Sequence, residues 1–257
     1  MGAFFEYIYK GDKMAVCETM LQYTTANVNE NAKISVIIVC GGSSARMKGI
    51  DKMFAEVKNI PVCIRSISAF QYCAEVNDIV VVTKEENVLK MKQLCGEFEL
   101  TKVTDIVAGG SCRQESVYNG LKQLTHDTDI VLVHDGARPF VKDDCIKRVI
   151  DGVRLNSAVT CAVSPKDTIK VIKPDGLVVS TPDRTTLSAV QTPQGFKYNL
   201  YRSAIEKFSD KLEQFTDDCS IIEAFGFPVY VVEGDYKNIK ITTAEDLKIA
   251  QNFAEEF

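Results

Sequence analysis

From residue 34 to residue 163 the chain alternates short β-branched runs with amphipathic stretches of helical period, and this alternation limits the fold more than any other feature. Apolar runs stand at 34–40 (ISVIIVC), 78–83 (DIVVVT), 103–107, 129–134 (DIVLVH) and 158–163 (AVTCAV). Between them lie helical patterns at 61–74, 85–95, 111–124 and 143–155, the first opening on Pro61. Strand, helix, strand in repetition, with strands apolar on both faces, is the pattern of a parallel sheet covered by crossover helices. The expected class is α/β, with a doubly wound, mostly parallel sheet. In such sheets ligands bind outside the carboxyl ends of the strands.

The alternation breaks at 167–181 (DTIKVIKPDGLVVST), which reads as two period-two strands around the turn signal Pro174-Asp175-Gly176. The residues alone allow either a hairpin arm that packs on another subunit or an antiparallel extension of the same sheet. Helices are then expected near 197–208 and 217–225, a strand at 229–232, and the segment NIKIT at 238–242. Thr243 to Asp246 has the form of a helix N-cap. No repeat or linker divides residues 33–257, so one domain with an arm at about 164–186 is expected. Residues 1–32 lack a sustained period and read as an N-terminal extension outside the core.

Composition excludes several functions. A hydrophobic share of 46% and a charged share of 25% are ordinary for a folded domain, which removes fibrous and wholly disordered readings. Thirty basic against thirty-five acidic residues give a net charge of −5, without the basic footprint of a nucleic-acid binder. No apolar run approaches the roughly 18–20 residues that span a bilayer. Glu6 and Lys10 interrupt any signal-peptide core, and Glu6 stands where N-myristoylation needs Ser or Thr. A soluble, cytoplasmic protein is expected. The nine cysteines contain no CxxC pair and are read as buried, reduced thiols. With only His126 and His134 present, a histidine-based zinc site or catalytic dyad has almost no material.

The candidate chemistry sits after the strands. Strand one runs into Cys40-Gly41-Gly42-Ser43-Ser44-Ala45-Arg46-Met47, with Lys52 following. Its glycines permit close backbone approach to phosphate, but the spacing is neither that of a P-loop nor that of a dinucleotide fingerprint. Arg46 and Lys52 are placed to meet a triphosphate from two sides. Strand three leads to Gly109-Gly110-Ser111-Cys112-Arg113-Gln114-Glu115-Ser116, where Arg113 and Ser116 share a helix face. Strand four leads to His134-Asp135-Gly136-Ala137-Arg138-Pro139-Phe140, with Asp135 at the strand tip and His134 read as packing under the loop. Asp183-Arg184, Gln191-Thr192-Pro193-Gln194 and Lys240 follow.

Each motif alone has a plainer reading as a glycine turn or a solvated surface cation. Their convergence on one crevice of an acidic protein changes the balance. With no Ser or Cys nucleophile paired to histidine, such a site suits transfer of a nucleotidyl group between phosphates, where the attacking phosphate needs no base.

The ordered set GGSSARM…K, GGSCRQESV, HDGARPF, KDT, DR, QTPQ and NIKIT resembles the 2-C-methyl-D-erythritol 4-phosphate cytidylyltransferase family over about residues 34–253. Molybdenum-cofactor nucleotidyltransferases have similar openings, but HDGARPF and QTPQ do not belong to them. The resemblance implies a Rossmann-like fold, a homodimer formed through the hairpin arm, and transfer of CMP from CTP to a methylerythritol phosphate with Mg²⁺. It implies that Arg46 and Lys52 stabilise the transition state, and that Arg184 and Lys240 position the attacking phosphate. Cytosine and ribose would be held by the backbone of Cys40, Gly41, Gly42 and Gly110, with Ser116; Arg113 and Thr192 would join the substrate site. Asp135, Arg138 and Thr168 would meet the acceptor, and Asp135 would also touch the metal. A ribitol-5-phosphate cytidylyltransferase has the same chemistry with another acceptor, and DGARP favours the methylerythritol reading. A catalytically silent relative would be expected to lose Arg46, Lys52 or Lys240. The sequence departs from the family in carrying Asp51 beside Lys52, Ser111 at an often acidic position, and a slightly short loop before Lys52.

Overall fold

The computed structural model describes residues 31–42 and 51–254. The expected extension up to residue 30, Arg46 and most of the short loop before Lys52 lie outside the described residues.

The chain begins with β1 (Ile34–Val39), fully buried along its length. A small hairpin, β2 (Glu56–Val57) with β3 (Ile60–Pro61), leads into α1 (Val62–Gln71), with Pro61 as N-cap and no side-chain capping bond. The alternation continues through β4 (Asp78–Thr83), α2 (Val88–Glu97), β5 (Val103–Ala108), α3 (Arg113–Leu121), β6 (Ile130–Asp135), α4 (Asp143–Asn156) and β7 (Ala158–Val163). The hairpin of β8 (Val171–Ile172) and β9 (Val178–Ser180) follows. The chain ends with β10 (Ala189–Lys197), α5 (Tyr198–Lys207), α6 (Asp218–Phe225), β11 (Tyr230–Glu233) and α7 (Ala244–Phe253). Thr243 caps α7 through a capping box with Asp246, as its sequence requires.

Seven strands form one sheet in the order β11-β7-β10-β6-β1-β4-β5. β1 pairs in parallel with β4 and β6, β4 with β5, and β11 with β7, so the sheet is mostly parallel. β10 alone runs antiparallel, between β6 and β7. Sequence periodicity does not announce this strand. Its centre is Pro193-Gln194-Gly195, residues that ordinarily demote a strand, and its register shifts between Val190 and Gln194. The absent side chain at Gly195 is what admits α4, since a Cβ there would lie 2.7 Å from Val149 and from Val153.

Burial on both faces explains the apolar strands. One face packs Val36, Ile38, Val81 and Leu132 against residues of α1 and α4, among them Ile64, Ile67, Phe70, Ile146 and Val149. The other packs Ile37, Val80, Val82 and Val133 against Val117, Tyr201, Ile205 and Ile222 of α3, α5 and α6. Each such side chain withdrawn from water contributes roughly 1.5–3 kcal/mol. Of the described cysteines, seven are buried and Cys112 is half-buried, all without a disulfide.

The hairpin is shorter than the sequence pattern and does not join the sheet. Ile169, Val171, Ile172, Leu177, Val178 and Val179 along it are exposed. Arg184 closes its base by donating to the Lys166 carbonyl at 2.7 Å.

Candidate active site

Loops at the carboxyl ends of β1, β4, β5 and β6 enclose a cleft of about 690 Å³. Gly41 and Gly42 border it after β1, Gly109 and Gly110 after β5, and Asp135 at the tip of β6. Lys52, Arg113, Ser116 and Lys240 complete the lining that sequence reasoning named.

Asp135 organises the floor. Its Oδ1 accepts from Arg113 Nε at 2.9 Å, its Oδ2 lies 2.7 Å from Lys240 Nζ, and Arg138 Nε stands 3.8 Å from the same oxygen. Burial alone would raise the carboxyl pKa, but Arg113, Lys240 and Arg138 outweigh it and hold the group ionised far below the usual carboxylate range. Arg113 in turn donates through Nη1 to Asp218 Oδ2 at 2.7 Å. Burial opposes its charge too, yet Asp218 and Asp135 raise its pKa above the ordinary arginine value. Three cations on two carboxylates leave this group net positive, next to wherever further phosphate charge enters.

A second set of bonds fixes the height of Asp135. Its amide donates to Thr192 Oγ1 at 3.0 Å, and that hydroxyl lies 3.1 Å from His134 Nδ1. His134 Nε2 is 3.2 Å from the Arg138 carbonyl, which can only accept. Burial pushes the His134 pKa down to about 4, so at neutral pH its ring carries one proton, and that proton sits on Nε2. His134 packs against Phe70 beneath the loop, ring centroids 4.8 Å apart and tilted by 58°, as its sequence position implied, and is no base in the cleft. Gly136 lets this loop approach β1, because a Cβ would collide with Cys40 Sγ.

Lys240 is delivered by the NIKIT segment, which is irregular here rather than a strand. Ile241 donates its amide to the Ala137 carbonyl at 2.8 Å, and Asn238 Nδ2 donates to the Thr192 carbonyl at 2.9 Å. These bonds join the last loop to the β6 loop and to β10.

The comparisons with known proteins bear on this arrangement. The family described as 2-C-methyl-D-erythritol 4-phosphate cytidylyltransferase matches residues 34–256. A protein of that name from Clostridium botulinum is 42% identical over 226 residues, 88% of this chain and 99% of the relative. The chain belongs to the 2-C-methyl-D-erythritol 4-phosphate cytidylyltransferase family. A namesake from Clostridium perfringens is 42% identical over 223 residues, covering 86% of this chain and 98% of its own. Among solved structures, 4-diphosphocytidyl-2C-methyl-D-erythritol synthase from Anaerococcus prevotii superposes with a TM-score of 0.80 at 31% identity, covering 90% of this chain and all of the other. The cytidylyltransferase from Thermus thermophilus gives 0.70 at 27% identity, over 87% and 99% of the two chains.

For a cytidylyltransferase, several residues expected at the substrate sit elsewhere. The Cys40 thiol is in the core, and its amide is taken by the Val82 carbonyl at 2.7 Å, so it offers a substrate no N–H. Thr192 is buried behind Asp135 and holds the loop rather than lining the cleft. Arg138 turns its Nη1 to the Asn238 carbonyl at 2.8 Å, because Asp135 and Asn238 compete for it below the cleft floor. Thr168 and Arg184 are exposed on the arm, outside the lining of this cleft. The carboxylate of Asp51, the residue before Lys52, is turned to neutral donors, accepting from the Met53 amide at 3.1 Å and from Asn87 at 3.2 Å. Ser111 places its hydroxyl and amide on Glu115, the carboxylate of the next helical turn.

The donor set does not fit a resident Mg²⁺. Among the described residues no three His, Cys, Asp or Glu side chains gather as a metal site, and both oxygens of Asp135 already face cations. Asp135 in this arrangement is the anchor of a cationic cluster.

Sequence reasoning missed Asp218. Its carboxylate is fully buried, though it opens a helix that read as an ordinary amphipathic segment. Two consecutive aspartates at 217–218 were a visible signal of a cap, and only the first caps the helix.

Proposed function

We propose that the protein transfers the cytidylyl group of CTP to the phosphate of 2-C-methyl-D-erythritol 4-phosphate and releases pyrophosphate, a step of isoprenoid precursor synthesis. A phosphate oxygen of the acceptor forms a bond to the α-phosphorus of CTP. The bond from that phosphorus to the bridging oxygen breaks, and pyrophosphate leaves with the electron pair. The attacking oxygen is already anionic, so no base is required, in keeping with a cleft whose nearby histidine is buried and neutral.

The observation that carries this reading is that Lys52 lines one glycine-bordered cleft together with Arg113 and Lys240, the two cations held on Asp135. Lys52, with Arg46, neutralises charge that develops at the α-phosphorus; preorganised groups of this kind are each worth about 3–4 kcal/mol. Gly41, Gly42 and Gly110, with Ser116, border the place for ribose and cytosine. Lys240 holds the attacking phosphate, and Asp135 keeps Lys240 charged and aimed while presenting an edge to the acceptor hydroxyls. Mg²⁺ would enter together with CTP as part of the substrate and offset phosphate charge, and none of these residue roles depends on it.

The arm completes the reading. Its row of exposed apolar residues is what a second copy of the chain would cover. In a homodimer the arm carries Thr168 and Arg184 to the neighbour's acceptor site. One nucleotidyltransferase domain working in the cytoplasm on small molecules accounts for the described residues, in which no helix is long and apolar enough to cross a membrane.

The test is pyrophosphate release from CTP and Mg²⁺ with methylerythritol phosphate or ribitol 5-phosphate at equal concentration. Clear preference for methylerythritol phosphate is expected. Preference for ribitol 5-phosphate moves the assignment to the sister activity, and silence with both, alongside CTP binding, removes the enzyme reading.

A further inference from the structure

Among the described residues, Asp218 is the one buried carboxylate attached to the cleft's cations that takes no part in lining the cleft. Its side chain has no exposure, whereas Arg113, its partner, retains 22%. Arg113 therefore reaches from the core to the cleft wall. Asp218 Oδ1 accepts from the Tyr201 hydroxyl at 2.6 Å, and its amide donates to Gln194 Oε1 at 3.1 Å. These contacts, on α5 and β10, satisfy Oδ1 and the Asp218 amide and leave Oδ2 to Arg113.

The guanidinium is planar, and two of its nitrogens are held by different carboxylates: Nη1 by Asp218 and Nε by Asp135. Two anchors on one rigid plane fix its orientation. Because Arg113 occupies Asp135 Oδ1, the other oxygen is left to Lys240. A buried ion pair of this kind returns little stability against an apolar replacement, so its presence calls for another account. Resting on the cytidylyltransferase reading above, we propose that Asp218 is a positioning residue for the transfer, setting Arg113 so that Asp135 presents Lys240 to the attacking phosphate.

Without its charge, Arg113 keeps a single anchor and gains freedom to swing towards the triphosphate, and Asp135 loses its fixed tilt. Asp218→Asn keeps the shape but puts a donating NH₂ at one of the two positions to which Tyr201 and Arg113 donate. The expected result is a fall of about 10–30-fold in kcat/KM for the acceptor, the range of a lost charged hydrogen bond, with the Kd for CTP changed less than about threefold. Tyr201→Phe removes the other bond to the same carboxylate and leaves Arg113 in place; it lowers Tm but keeps acceptor kcat/KM within about twofold. In an Arg113→Met background, Asp218→Asn has less than about a twofold further effect. Additive losses, or an equal loss of acceptor kcat/KM in Tyr201→Phe, overturn the proposal.

A readout independent of turnover uses the unaltered protein. NMR of arginine-labelled chain is expected to show a slowly exchanging Nε proton for Arg113, held by Asp135, and its rapid exchange in the wild type overturns the proposal even if no variant folds. If the wild type turns over no polyol phosphate, the proposed function fails, while this proton still reports whether Arg113 is held.

Discussion

Lys240 Nζ lies 2.7 Å from Asp135 Oδ2, joining the last loop of the chain to the tip of a central strand. The pair has opposite charge but unequal surroundings: the Asp135 side chain is 10% exposed and that of Lys240 is 37%. The carboxylate is therefore committed to the floor, while the ammonium still faces the cleft and can take a phosphate oxygen without leaving its anchor.

Replacing Lys240 by alanine should lower kcat/KM for the acceptor by about 10²–10³-fold, the cost of one preorganised group at developing or transferred charge. Lys240→Arg restores only part of this, because a planar fork cannot occupy the place of a compact ammonium. Steady-state pyrophosphate release with the acceptor varied at saturating CTP measures it. An unchanged kcat/KM would remove Lys240 from the site.

Lys52 makes a different prediction because it lines the cleft and, in the proposed transfer, acts on the α-phosphorus of CTP. Lys52→Ala should keep the fold and hold CTP affinity within roughly tenfold while turnover falls by about 10²-fold or more, since a group that acts on the transition state contributes little to ground-state binding. Calorimetric titration with CTP and single-turnover transfer separate the two effects. Equal loss of affinity and rate would make Lys52 a binding residue only.

The alternating strands of the first half were legible because each is buried on both faces and leaves an uninterrupted apolar run, as Ile34 to Val39 does. The cleft was legible for a related reason: parallel strands bring their carboxyl ends together, so Gly41, Gly110, Arg113 and Asp135 meet although far apart in sequence. β10 was not legible, because Pro193 and Gly195 serve packing and pairing that no local period encodes. Nor was the division of labour between cleft and support. Arg138 and Thr192 look in sequence like substrate contacts, and only distances show that one is turned to Asn238 and the other to His134. Asp218 was hidden for the opposite reason, since an aspartate opening a helix is ordinary until its carboxylate is found buried against an arginine.

His134 gives the fold a specific acid sensitivity. Its pKa falls from 6.5 to about 4 because burial disfavours the charged ring. A group depressed on folding contributes its full stability above the unfolded pKa and loses it as pH falls towards the folded value. Between pH 6.5 and 4 this site alone should withdraw about 3 kcal/mol. Urea denaturation across that range is expected to show a steeper decline for the wild type than for His134→Asn, which has no proton to bind, even though the variant starts less stable. Parallel declines would show that carboxylates account for the acid loss.

The arm prediction turns on which cleft Arg184 serves. Within one chain Arg184 holds the Lys166 carbonyl at the arm's base, away from the cleft. If the arm works in a neighbour, Lys52→Ala and Arg184→Ala damage different halves of a shared site. Each homodimer is then impaired, but a mixed dimer has one cleft with an intact Lys52 and an intact arm opposite. Random pairing makes half of the dimers mixed, and one of their two clefts is whole, so equal mixing after subunit exchange should recover about a quarter of wild-type turnover. Val178→Asp, which puts charge on the exposed apolar row, should yield a monomer by sedimentation and abolish that recovery. No recovery from mixed, demonstrably dimeric chains would place Arg184 at its own chain's cleft or outside the reaction.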